Sequence, residues 1–214
     1  NNGYFCKRMT LMADRLEINY DTADYDWGKK IDLDDLEEKL KKNDYAMVAA
    51  IHAETSTGVL NPIKEIGELC KKYNARLMID CVTSLGGTEI KFDEWNVDYA
   101  YSGTQKCLAA PPGLSPVSIS KSAIEYIKSR KKQPSSWYLD LVALSDYWGK
   151  EHIAHQTTPV NLVYALNEAL NLTFEEGLEN KFLRHKIMSD GLKKGLKELC
   201  LVPVSYTHLR AHET

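Results

Sequence analysis

Three short apolar runs separated by an amphipathic stretch set the tightest limit on this chain: residues 45–51, 77–79 and 97–101. Between the first two, Ile66, Leu69, Cys70 and Tyr73 recur at helical spacing. Pro62 suits the first turn of that helix, and Lys71 and Lys72 suit its C-terminal end. Strand, helix and strand in repetition is the pattern of a parallel sheet with right-handed crossovers. The unbroken apolar character of 45–51 predicts a strand buried on both faces. Ligands of open α/β sheets bind beyond the carboxyl ends of the strands. The second run ends on Asp80, and the third leads through Ser102-Gly103-Thr104-Gln105 to Lys106. A carboxylate and an amine are therefore expected to face one ligand from two sides.

The remaining elements read less sharply. Residues 1–5 predict a turn, 9–16 a helix and 17–20 a short strand. Leu33, Leu36 and Leu40 mark a helix with Asp32 as its N-cap, 114–119 reads as a strand, and 121–132 is a basic helical stretch with a solvated face. Residues 163–174 and 178–199 read as two long amphipathic helices. A net charge of −3 over 214 residues gives no basic footprint for nucleic acid. No apolar run approaches the ~20 residues of a membrane helix, and no signal peptide is evident, which points to the cytoplasm or an organelle lumen. The five cysteines are odd in number and lack CxxC pairing, so neither a disulfide framework nor a zinc site is expected. Cys81 and Cys107 follow the acid and the amine directly but read as small buried thiols. Without GxGxxG or a Walker sequence, a nucleotide-binding fold is poorly supported.

Ile79-Asp80-Cys81-Val82-Thr83-Ser84-Leu85-Gly86-Gly87, followed by Ser102-Gly103-Thr104-Gln105-Lys106-Cys107-Leu108-Ala109-Ala110-Pro111-Pro112-Gly113, resembles the core of class V aminotransferases, specifically the alanine/serine–glyoxylate group. The similarity runs from Asn2 to about Leu201. It implies an α/β fold, the large domain of PLP-dependent transferase fold type I, with a mainly parallel sheet flanked by helices. It also implies pyridoxal 5′-phosphate (PLP) as cofactor. On this resemblance Lys106 forms the Schiff base and later moves the proton, while Asp80 pairs with the pyridinium nitrogen. Phe5 stacks on the ring, Val82 packs on its opposite face, Thr55 contacts the cofactor and Gln105 lies beside its phosphate. Thr157 reaches the phosphate held by the partner subunit of a homodimer, although Ala154 stands where many relatives have tyrosine. His52 and Glu54 share the Thr55 motif, but a lone histidine at a strand end is more commonly a satisfied core residue, and Phe5 reads equally as a core aromatic. Trp137, Tyr138, Tyr147 and Trp148 match positions at the mouth of the family's site, while paired aromatics are more commonly core.

The implied reaction moves an amino group from alanine or serine to glyoxylate or another small 2-oxo acid. Two alternatives stay open: another class V reaction, such as 2-aminoethylphosphonate transamination or cysteine desulfuration, and a catalytically inactive dimerisation module. Residues 1–160 are expected to form the central part of the PLP-binding large domain, 161–201 helices leading toward a small domain, and 202–214 a non-native or disordered tail. The family's Gly-rich phosphate turn and its arginine-bearing small domain have no counterpart here, so the chain reads as a fragment.

Overall fold

The computed structural model describes residues 1–150 and 152–201, so the expected tail lies outside the described residues. In chain order the elements are α1 (Tyr4–Arg15), α2 (Leu33–Lys42), β1 (Met47–Ile51), β2 (Ala53–Glu54), β3 (Val59–Leu60), α3 (Ile63–Lys72), β4 (Arg76–Asp80), β5 (Tyr99–Tyr101), β6 (Val117–Ile119), α4 (Lys121–Ser129), α5 (Leu141–Trp148), α6 (Val160–Glu176) and α7 (Leu178–Glu198). Four strands form a sheet in the order β1-β4-β5-β6, and β2 and β3 form a separate hairpin. The β1–β4 and β4–β5 pairs are parallel, whereas β6 returns antiparallel to β5. Ile51 is in register with Asp80, and Asp80 with Tyr101, which brings three strand ends to one edge.

The core explains that arrangement. Ile63, Ile66 and Cys70 form the inner face of α3 and meet Leu77 and Ile79 of β4 and Leu36 and Leu40 of α2. Ile66, Leu77 and Ile79 are fully buried, each such side chain stabilising the fold by about 1.5–3 kcal/mol. Asp32 caps α2 as expected, accepting from the Asp34 and Asp35 amides at 2.9 and 3.2 Å. A half-buried charge ties the strands together: Asp98 accepts from Arg76 Nη1, the Leu77 amide and Ser120 Oγ, each at 2.9–3.1 Å.

Several expectations change. Helix α1 begins at Tyr4, so Phe5 lies in a helical turn instead of the expected loop. Residues 17–20 form no strand; they pair with nothing among the described strands, and Ile18 and Tyr20 are exposed. Among the described strands β1 lies at the edge of the sheet with Met47 and Ala49 exposed, so only its Ala50–Ile51 end meets the two-sided burial predicted for the run. The basic stretch is helical only to Ser129. Helix α6 extends its predicted segment at both ends and α7 stops at Glu198, one residue short of its own; both expose apolar side chains, among them Phe174, Ile187 and Met188.

Candidate active site

At the carboxyl edge of the sheet, one cavity of about 170 Å³ gathers Phe5, Thr55, Asp80, Val82, Gln105 and Lys106. Arg8, Ile51 and Ala53 complete its wall. Asp80 is supplied by the end of β4 and is only 6 % exposed. Its Oδ1 accepts from the Val82 amide and its Oδ2 from the Tyr101 hydroxyl, both at 2.8 Å. Burial raises the Asp80 carboxyl above its ordinary value, and these two donors and the charge of Arg8 oppose the rise. Burial and the Asp80 charge push the Tyr101 phenol upward, so it remains a donor.

Lys106 sits in the turn beyond β5, half-buried, and the turn is built from polar residues that face inward. Ser102 Oγ donates to the Cys81 carbonyl at 3.1 Å, and Thr104 Oγ1 to the Pro111 carbonyl at 2.6 Å. The chain then closes through Ala109 and Ala110, whose amides donate to the Lys106 and Thr104 carbonyls, with Ala109 in the left-handed region at φ +58°. Cys107 Sγ reaches the Thr83 carbonyl at 3.3 Å and joins the Lys106 turn to the loop after Asp80. A Cβ on Gly87 would lie 2.6 Å from that sulfur, so the close approach requires glycine. Burial raises the Cys107 thiol and lifts those of Cys81 to about 12 and Cys6 to about 11. These thiols pack; they are poor nucleophiles.

Thr55 is presented by the β2–β3 hairpin, which Thr83 Oγ1 braces by donating to the Ala53 carbonyl at 2.6 Å. His52 does not line the cavity: its Nδ1 shares a 3.0 Å hydrogen bond with Ser84 Oγ, its ring meets Trp95 edge-on, and burial depresses it to about 4. It is a satisfied core histidine. Among the described residues no metal-binding cluster of His, Cys, Asp and Glu occurs.

The model of the aminotransferase class-V family matches residues 8–213, which takes in both Asp80 and Lys106. This chain belongs to the class-V aminotransferases. The (S)-ureidoglycine–glyoxylate transaminase of Bacillus subtilis is 36 % identical over 217 residues, covering 93 % of this chain and 52 % of the relative. The alanine–glyoxylate aminotransferase of Oryctolagus cuniculus is 39 % identical over 203 residues, 94 % of this chain and 52 % of its own. The crystal structure of an alanine–glyoxylate aminotransferase from Nostoc sp. superimposes with a TM-score of 0.90 at 42 % identity, over 93 % of this chain and 53 % of that one. The chain thus has the PLP-dependent transferase fold and spans about half the length of these relatives.

Two polar residues at this cavity, Arg8 and Tyr101, are not evident as site residues in the sequence. Arg8 lies over the Phe5 ring with its guanidinium carbon 4.7 Å from the centroid. Its signal was the three-residue spacing from Phe5, legible only if α1 starts at Tyr4. In the sequence Tyr101 is simply part of an apolar strand, and its pairing with Asp80 follows from the β4–β5 register. Thr157 is exposed and outside the cavity, so this single chain does not bring it to the other site residues. Trp137, Tyr138 and Trp148 are exposed rather than core, and none of them, nor Tyr147, lines the cavity.

Proposed function

We propose that this chain holds pyridoxal 5′-phosphate in the Asp80–Lys106 cavity and that the whole protein transfers an amino group to glyoxylate or another small 2-oxo acid. The observation that carries the reading is the convergence, in one cavity, of a buried carboxylate with directed donors, an amine on a tight turn, an aromatic ring and a branched apolar side chain. That donor set fits a charged aromatic aldehyde. Bound there, PLP supplies an electron sink for the pair left at the substrate's Cα.

The residues divide the work. Lys106 would hold the cofactor through its amine and would act as the base that takes the proton from the substrate's Cα. Asp80 would face the ring nitrogen and keep a proton on it, a task that needs its ionised form. The Val82 amide, the Tyr101 hydroxyl and Arg8 favour that form against the cost of burial. Phe5 and Val82 offer apolar contact to the ring and exclude water, and the Thr55 hydroxyl and Gln105 amide offer hydrogen bonds to its polar substituents. Thr157 is assigned to the partner's site in a homodimer.

The names of these relatives share glyoxylate and differ in donor, alanine in one case and ureidoglycine in another. The acceptor is therefore the better supported half, and alanine or serine remains the proposed donor. Cysteine desulfuration has less support, because Cys6, Cys70, Cys81 and Cys107 are buried and Cys200 follows α7 and does not line the cavity.

Borohydride reduction of the chain mixed with PLP, followed by digestion and mass spectrometry, tests the cavity. The expected result is a pyridoxyl group on Lys106 and none there in Lys106→Ala. Labelling scattered over surface lysines, equal in both proteins, overturns the reading.

A further inference from the structure

The cap of α1 is not its own. Gly3 occupies the N-cap position and has no side chain to offer, yet the first turn carries Phe5 and Arg8 follows one turn later. Its amides are served from the β2–β3 hairpin instead. The Tyr4 amide donates to Ser56 Oγ at 2.9 Å, and the Phe5 and Cys6 amides donate to the two carboxylate oxygens of Glu54 at 3.4 and 3.2 Å. Glu54 has no exposed surface, and Ser56 adds amide and hydroxyl hydrogen bonds to Glu54 Oε1 at 3.0 and 2.7 Å. A negative charge at the positive end of a helix is favourable, and burial strengthens it. Gly3 is part of the same device, because an added Cβ would lie 2.3 Å from Glu54 Cγ and 2.7 Å from Ser56 Oγ.

Between the two capping residues stands Thr55, which faces the cavity. One tripeptide thus seats α1 with its outer residues and presents a hydroxyl to the site with its middle one. We propose that Glu54 is a positioning residue: by capping α1 it sets Phe5 and Arg8 against Thr55 across the cofactor cavity. The proposal rests on the PLP reading for its consequence, but the capping itself does not. A second tie leaves the fold a way to survive its loss, since Asn2 Nδ2 donates to Asn61 Oδ1 at 2.8 Å and Asn61 Nδ2 to the Ile51 carbonyl at 2.7 Å.

Amide hydrogen exchange on the full chain, paired with PLP titration, tests it in the wild type, Glu54→Ala and Glu54→Gln. In Glu54→Ala the Phe5 and Cys6 amides should exchange about tenfold faster, as the loss of a helix cap predicts, while the β4 amides keep their protection. Glu54→Gln, which keeps an acceptor, should recover most of the protection. The dissociation constant of PLP should rise about threefold to tenfold in Glu54→Ala, the worth of a misplaced stacking partner, with a weaker circular dichroism band for the bound cofactor. Unchanged exchange at Phe5 and Cys6 overturns the proposal. So does faster exchange spread equally over β4, which marks a merely structural role, or faster local exchange with unaltered PLP binding. The expected exchange pattern in the two variants, together with no PLP uptake by the wild type, refutes the cofactor reading and leaves the capping of α1 by Glu54 standing.

Discussion

Removing one hydroxyl should show how the acid of this site is kept ionised. Tyr101→Phe deletes the 2.8 Å donor to Asp80 Oδ2 and leaves the ring packed in β5. A hydrogen bond to a charged group stabilises by about 1.5–3 kcal/mol, and one between neutral groups by about 0.5–1.5 kcal/mol. The first figure applies while Asp80 is ionised and the second once it is protonated. Because burial raises the folded carboxyl above its unfolded value, the folded state binds the extra proton. The stability Asp80 contributes is present at low pH and is lost as pH rises through the folded value. Tyr101 offsets part of that loss, so Tyr101→Phe should steepen it. Urea unfolding of both proteins across a pH series reads the difference directly, since carboxylates common to both cancel. The penalty should be about 1.5–3 kcal/mol at neutral pH and shrink by about 1 kcal/mol in acid. A penalty independent of pH would show that the hydroxyl serves packing or solvation and does not hold the Asp80 charge.

Two further outcomes follow from buried groups elsewhere. His52 is depressed from 6.5 to about 4 by burial, so it stays neutral while the unfolded chain takes a proton, and stability present above pH 6.5 should fall by up to about 3 kcal/mol toward pH 4. His52→Gln should flatten that slope in thermal or urea unfolding; an unchanged slope would mean that the imidazole is protonated in the fold. Gly67→Ala would place a Cβ 1.8 Å from the Trp95 carbonyl oxygen. The usual gain from alanine in a helix should therefore turn into a loss of about 1–3 kcal/mol, and an unchanged or higher melting temperature would refute the contact.

Much of the site was legible because its chemistry is carried by residue type at strand ends. Asp80 and Lys106 each follow an apolar run, and parallel pairing brings the ends of such runs to the same edge. The Asp32 cap and the apolar faces of α2 and α3 were equally plain, since both depend on residues within one helix. The edge position of β1 was not, because a run of apolar residues does not say how many neighbours its strand has. Nor was the failure of residues 17–20 to form a strand, which depends on the absence of a pairing partner among the described strands.

Periodicity and residue order determined the strand–helix alternation, the position of a carboxylate and an amine beyond strand ends, and the small cysteines beside them; the roles of Asp80 and Lys106 rested on the family resemblance. Tertiary structure alone decided that Tyr101 lies against Asp80, that Arg8 covers Phe5, and that Glu54 caps a helix it does not belong to. The physical reason is range. Helical faces and local caps are set by neighbours three or four residues apart, whereas these contacts join residues up to 49 positions apart or depend on where α1 begins. Hydrogen bonds of that kind form only after the sheet register and the core have placed both partners out of water.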